Sequence, residues 1–217
     1  LEHNAVMRPL RWMETHRGVE VAVVHGSEPT GAPTAEAVAA VVAEKPTDLV
    51  VLSHASNVTG VVLPVAEVAA AVAPVPVVVD AAQTAGSIPL NFSELGAAAL
   101  VASGHKGLLG PPGIGVMLST PNFEVDPLLR GGTGSRSESE EMPEHLPDYL
   151  EAGTPNGVGI AGLGASSSWL RRHSVEAVQR HTKMLMGRLA PGLAETGNVK
   201  PYGWNGQSLH TSVLSFT

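Results

Sequence analysis

The run Val75-Pro76-Val77-Val78-Val79-Asp80 is apolar at successive positions rather than alternate ones. A strand with one face in water alternates apolar and polar residues, whereas a continuous β-branched run has two faces to cover. Asp48–Ser53 and Ala97–Ala102 have the same character, and residues 19–25 also read as a strand. Between them, Thr34 is placed to N-cap a helix over Ala35–Glu44 that Pro46 stops. Pro64 suits the first turn of a second helix reaching Ala73. Strands alternating with helices predict an α/β fold, a three-layer sandwich with a mostly parallel sheet.

Farther along, Ile114–Leu118 reads as another strand. From Asn122 to Asn156 the pattern breaks down, with a Gly131-Gly132 pair and the acidic run Glu138–Glu141. Long irregular segments inside compact domains usually carry function or are disordered. Helical periodicity resumes near Val158 and runs to about Leu189, with a break at Arg172-His173-Ser174. From Gly197 a small sheet is expected. The division this suggests is a large domain over 1–186 and the beginning of a small α+β domain over 187–217.

Composition removes several function classes. The 217 residues are 43% apolar, enough for a sizeable core, and the net charge of −7 disfavours nucleic acid or an anionic membrane as partner. No long uncharged apolar stretch spans a bilayer. There is no cysteine, hence no thiolate chemistry from these residues. The nine histidines show no metal-ligand spacing. Both ends read as cut, since the chain starts without methionine and stops within an apolar stretch.

The chemistry centres on Ser103-Gly104-His105-Lys106, between an apolar strand and the glycine- and proline-rich turn Gly107–Gly115. A lysine at the end of a buried strand is partly desolvated, which favours the neutral amine needed to form a Schiff base. Ligands of open α/β sheets sit at the carboxyl ends of strands. Asp80 closes the valine strand, and Gln83 is near enough to project to the same side. Ser103 and His105 flank the lysine with phosphate-capable donors. Asn57 follows the strand ending at Ser53, and His3 could offer an imidazole face. A Schiff-base lysine with a carboxylate for a pyridine nitrogen is the requirement of pyridoxal phosphate.

Five short segments occur together in order: Glu2-His3-Asn4-Ala5, Ser53-His54-Ala55-Ser56-Asn57, Val79-Asp80-Ala81-Ala82-Gln83, Ser103-Gly104-His105-Lys106 and Glu151-Ala152-Gly153-Thr154-Pro155-Asn156. In these the chain resembles the fold-type I, class V aminotransferase superfamily, and within it the cysteine desulfurases. The resemblance implies the large domain of a cytoplasmic pyridoxal-phosphate enzyme. Lys106 would hold the cofactor and move the proton at the substrate α-carbon. Asp80 would meet the ring nitrogen, His3 would stack on the ring, and Gln83 and Asn57 would lie by its hydroxyl. Ser103 and His105 would bind phosphate. Thr154 would reach the phosphate of a neighbouring subunit in a homodimer with shared sites, and the Gly131–Ser137 loop would border the partner's site. The substrate implied is L-cysteine, with a sulfur-acceptor protein as a further partner. An upstream glycine/threonine phosphate loop, a persulfide-forming cysteine and a substrate-binding arginine would lie outside these residues. A class V aminotransferase, C–S lyase, epimerase or non-catalytic dimerisation module would share much of this pattern.

Plainer readings exist for several residues. Asp80 could cap its own backbone after the strand, and His54 could serve the strand-end backbone. Gly157-Val158-Gly159-Ile160-Ala161-Gly162 fits G-x-G-x-x-G, but a turn precedes it where a dinucleotide site needs a strand. Small residues opening a packed helix explain it better.

Overall fold

The structure of the protein is a computed structural model, and it describes residues 1–27, 30–136, 138–204, 206 and 209–217. A four-stranded sheet runs in the order β1 (Val50–Ser53), β2 (Val77–Asp80), β3 (Ala99–Ser103), β4 (Gly115–Ser119). The first three strands are parallel, and β4 is antiparallel to β3. The fold is therefore α/β with a mostly parallel sheet. Each strand lies where the sequence puts an apolar run.

Helix α1 (Asn4–Arg17) precedes α2 (Ala35–Glu44), and α3 (Val65–Val72) connects β1 to β2. Thr34 caps α2 by accepting from the Ala37 amide, and α2 ends at Glu44, before Pro46. On α3 the buried residues are Val65, Val68, Ala69 and Val72, the spacing of a single helix face. That face packs on Leu52, Val79 and Leu100, which the register aligns in one row across β1, β2 and β3. The opposite face, with Val51, Val78 and Val101, is half-buried. The continuous valines thus mark a sheet with two apolar faces, of which the described residues cover one more fully.

Residues 19–25 differ from expectation. They are irregular backbone rather than a strand. Val24 packs against the core and Glu20 pairs with Lys45, yet no ladder forms along the segment. A strand is defined by its neighbour, and none runs beside these valines among the described residues. Helix α1 is an element the sequence reading did not identify. Pro9 lies inside it, none of its residues is fully buried, and its cap is the imidazole of His3.

After the irregular segment, α4 (Gly157–His173) and α5 (Val175–Glu195) are separated at Ser174, whose φ of 63° breaks the helix where the sequence predicts. Gly162 of α4 has the Pro111 ring against it, and an added Cβ would lie 2.9 Å from that ring. The glycine pattern thus serves close packing. Strands β5 (Pro201–Tyr202) and β6 (Ser215–Phe216) form a separate antiparallel pair, and α5 runs unbroken through residue 186. Among the described residues no helix is long and apolar enough to cross a membrane.

One polar pair lies inside the sheet's carboxyl edge. His54, only 8% exposed, donates its backbone N–H to the Asp80 carbonyl at 2.8 Å, and its Nδ1 lies 2.9 Å from the Thr84 hydroxyl. Burial pushes the imidazole below its ordinary pKa of 6.5.

Two outcomes follow for stability. Val68→Ala should destabilise the protein by about 2 kcal/mol, whereas Ala70→Gln on the exposed side of α3 should stay within about 0.5 kcal/mol. Equal shifts in denaturation midpoint would contradict the assigned core face. For His54, the unfolded chain binds the proton more readily than the folded one. Its contribution is therefore present above pH 6.5 and is lost as pH falls through the depressed folded value. Urea midpoints should drop on acidification from about pH 7 to pH 5, and less so in His54→Gln; identical slopes would contradict the burial.

Candidate active site

The carboxyl ends of three parallel strands gather the predicted residues along one edge. Asp80 is the last residue of β2 and pairs in register with Ser53 of β1 and Val101 of β3. Side chains alternate along a strand, so Ser103 falls on the same face as Val101 and Asp80. Lys106 follows three residues later in the turn that leaves β3, and is half-buried. His105 beside it is exposed, and Asn57 is half-buried in the turn after β1.

Two glycines bring the turn after Asp80 against the turn containing Lys106. A Cβ on Gly86 would sit 2.2 Å from the Gly107 carbonyl oxygen, and one on Gly107 would sit 2.2 Å from Ser87 Oγ. Gly86 also has a φ of +77°, where a side chain is disfavoured. Backbone therefore touches backbone between the two turns. The lysine turn closes by a 2.9 Å bond from the Leu109 amide to the Lys106 carbonyl, with Leu109 held at a φ of 58°. A left-handed conformation at a leucine is uncommon and costs energy.

Asp80 has the capping contact that the sequence allows: Oδ1 accepts from the Ala82 amide at 2.8 Å. A carboxylate has two oxygens, and Oδ2 has no protein hydrogen bond among the described residues. Capping by one oxygen thus leaves the other available. The side chains of Lys106, Ser103, His105, Gln83 and Asn57 likewise have no protein partner among the described residues. This donor set suits pyridoxal phosphate: an amine for the aldehyde, a free carboxylate oxygen for a ring N–H, and hydroxyl and imidazole groups for the phosphate.

His3 reaches this edge through Glu2. The Glu2 carboxylate accepts from the Ser53 amide at 2.9 Å and from the Ser53 hydroxyl at 2.7 Å. Ser53 is the register partner of Asp80, so His3, the next residue after Glu2, is tethered near that end of the sheet. Its Nδ1 accepts from the Ala5 amide at 3.1 Å, leaving an exposed ring. Glu2 opens the first of the five family segments, but the clamp joins residues 51 apart, and no local pattern signals it.

Thr154 makes no hydrogen bond to the other candidate residues. It is exposed, although the Asn156 side chain donates to the Gly113 carbonyl at 3.2 Å and so fixes this stretch beside the turn after Lys106. A cleft of about 800 Å³ opens elsewhere, in the irregular segment, and is lined by Arg130, Arg136, Glu144 and Tyr149 among others. None of the residues predicted to hold the cofactor lines it, whereas Gly131–Arg136 of the predicted partner-facing loop does. Lys106 and the second Asp80 oxygen, both without a protein partner among the described residues, belong to the strand edge and not to this wider opening. Beside the cleft, Ser135 and His145 both bond Asp148, and the Ser135 hydroxyl holds that carboxyl below its usual range. Ser137, at the end of the predicted partner-facing loop, lies outside the described residues. Among the described residues no cluster of histidine, aspartate and glutamate could hold a metal ion.

Comparison with known proteins agrees with the α/β fold. The aminotransferase class-V family model matches residues 1–217. A probable cysteine desulfurase of Pyrococcus abyssi is 32% identical over 222 residues, covering 99% of this chain and 54% of the relative. Another, from Methanothermobacter thermautotrophicus, is 32% identical over 223 residues, covering 100% of this chain and 54% of its own length. The apo cysteine desulfurase structure from Thermococcus onnurineus NA1 matches with a TM-score of 0.88 and 31% identity, over 100% of this chain and 55% of that one. A cysteine desulfurase structure from Escherichia coli matches with a TM-score of 0.84 and 26% identity, over 100% of this chain and 54% of that one. The chain spans about half the length of the curated relatives it matches. The sheet and helices have the fold type I arrangement of those enzymes, and the chain belongs to the aminotransferase class-V family.

Proposed function

We propose that this chain forms the pyridoxal-phosphate-binding core of an enzyme that removes sulfur from L-cysteine, giving alanine and an enzyme-bound persulfide. The observation that carries the reading is that Asp80, with one oxygen free, ends β2, and Lys106, without a protein partner among the described residues, lies in the turn leaving the adjoining β3, the two following turns touching through Gly86 and Gly107.

When bound, pyridoxal phosphate supplies an electron sink for the negative charge left on the substrate α-carbon. Lys106 Nζ would hold the cofactor's aldehyde group and serve as the base for the substrate α-proton. Asp80 Oδ2 would accept the ring N–H, while the Ala82 amide orients the carboxylate. Ser103 Oγ and the His105 ring would bind the phosphate. Gln83 would lie by the ring hydroxyl, and Asn57 by the ring hydroxyl and the substrate carboxylate. The His3 ring would stack on the flat face, with the Glu2–Ser53 clamp tethering it near that end of the sheet.

Sulfur capture needs a thiolate, and these residues contain no cysteine. The sulfur-accepting cysteine is therefore assigned to another part of the full-length protein, with a sulfur-acceptor protein downstream. Thr154, exposed and beside the Lys106 turn, is assigned to the phosphate of a second subunit in a cytoplasmic homodimer with shared sites. Residues 1–186 form the large domain in this reading, and 187–217 begin the small one.

In the full-length protein, added pyridoxal phosphate should give a visible imine absorbance that Lys106→Ala abolishes; a band that survives that substitution would refute the lysine's role. Glu2→Gln weakens two hydrogen bonds to a charged acceptor and should raise the cofactor dissociation constant by about tenfold. An unchanged constant with an intact fold would show that the clamp does not position His3.

A further inference from the structure

We infer that His54 and Thr84 are positioning residues for Asp80, fixing through a buried hydrogen-bonded pair the turn on which that carboxylate stands. The inference rests on the reading of Asp80 as the partner of the cofactor's ring nitrogen. Its geometric part stands on contacts within the protein alone.

One Asp80 oxygen is tied to the Ala82 amide, so the direction of the free oxygen depends on the shape of the turn that follows. That turn is organised around the Ala81 carbonyl. It accepts from the Thr84 amide at 3.0 Å, the Ala85 amide at 2.9 Å and the Thr84 hydroxyl at 3.3 Å. Ala81 itself donates to the Val101 carbonyl at 2.8 Å, which locks the start of the turn to β3. Thr84 has no solvent exposure, and its hydroxyl lies 2.9 Å from His54 Nδ1.

His54 is anchored on the other side. Its amide donates to the Asp80 carbonyl at 2.8 Å, and its carbonyl accepts from the Leu63 amide at 2.9 Å. The imidazole is thus a fixed post from the end of β1, set against the turn that leaves β2. With the Thr84 hydroxyl donating to Ala81, the remaining bond runs from His54 Nδ1–H to Thr84 Oγ1. An apolar pair of similar shape would fill this space without any desolvation cost. What the polar pair adds is direction: a hydroxyl bonded to both a ring and a carbonyl admits one turn geometry.

The test uses the full-length protein with Thr84→Ser, which keeps the hydroxyl, and Thr84→Val, which keeps the shape and removes it. In the cofactor-free protein, amide exchange at Ala82 should rise about tenfold or more in Thr84→Val, with exchange at Val79 unchanged. In the loaded protein the same variant should bind pyridoxal phosphate about tenfold more weakly and lose kcat with little change in KM. Thr84→Ser should restore both to within about twofold of the parent. Should Thr84→Val fail to fold, His54→Asn is read by the same exchange measurement. Parental exchange at Ala82 in a folded Thr84→Val or His54→Asn variant would overturn the inference. Absence of cofactor binding in the parent protein would instead overturn the proposed function, and Ala82 exchange would still decide the role of the pair.

Discussion

The parallel pairing of β2 with β3 is the constraint on which the site depends. It sets Asp80 opposite Val101, so that an acid ends one strand where its neighbour runs two residues farther to Ser103. From there Lys106 follows three residues later in the turn that leaves β3. The turns after the two strands must then pass within backbone contact, and glycine at 86 and 107 allows it. A methyl group at either position would push the turns apart. Sheet register and two glycines thus bring together the turns that follow the acid and carry the amine.

Around these turns, Glu2, Asp80 and the His54–Thr84 pair are each held by their own contacts. Glu2 spends both carboxylate oxygens on Ser53 and so ties the start of α1 to β1. Asp80 divides its oxygens between its own backbone and open space. The His54–Thr84 pair stiffens the turn from beneath. These contacts are polar and mostly at the edge of the core, while α2 and α3 supply the apolar backing on one face of the sheet. Rigidity below and unpaired donors above is the arrangement expected of a site that must hold a ligand without rearranging its scaffold.

Much of this was legible from residues alone, because the signals were local. The apolar runs over β1, β2 and β3 and the Thr34 cap each fall within a few neighbouring residues, and each appears where expected. Asp80 stands out in the sequence because a charged residue ending an apolar run needs a reason to be there, and Lys106 because a glycine- and proline-rich turn follows it at once. Residues 19–25 misled because strand formation requires a neighbour that a valine-rich segment cannot announce. Helix α1 was hidden by Pro9 and by the absence of a fully buried face. The Glu2–Ser53 and His54–Thr84 contacts join residues 51 and 30 apart, and single polar residues have no period by which to find a partner. Thr154 is suggested only by family resemblance, and within this chain it is exposed.

The central claim is that Lys106 carries the aldehyde. Borohydride reduction of the full-length protein loaded with pyridoxal phosphate, followed by peptide mapping, addresses it directly. Reduction would fix the linkage as a stable secondary amine. The expected result is a phosphopyridoxyl group on the peptide containing Lys106. A modification confined to Lys45, Lys183 or Lys200, or no modification in a fully loaded sample, would contradict it.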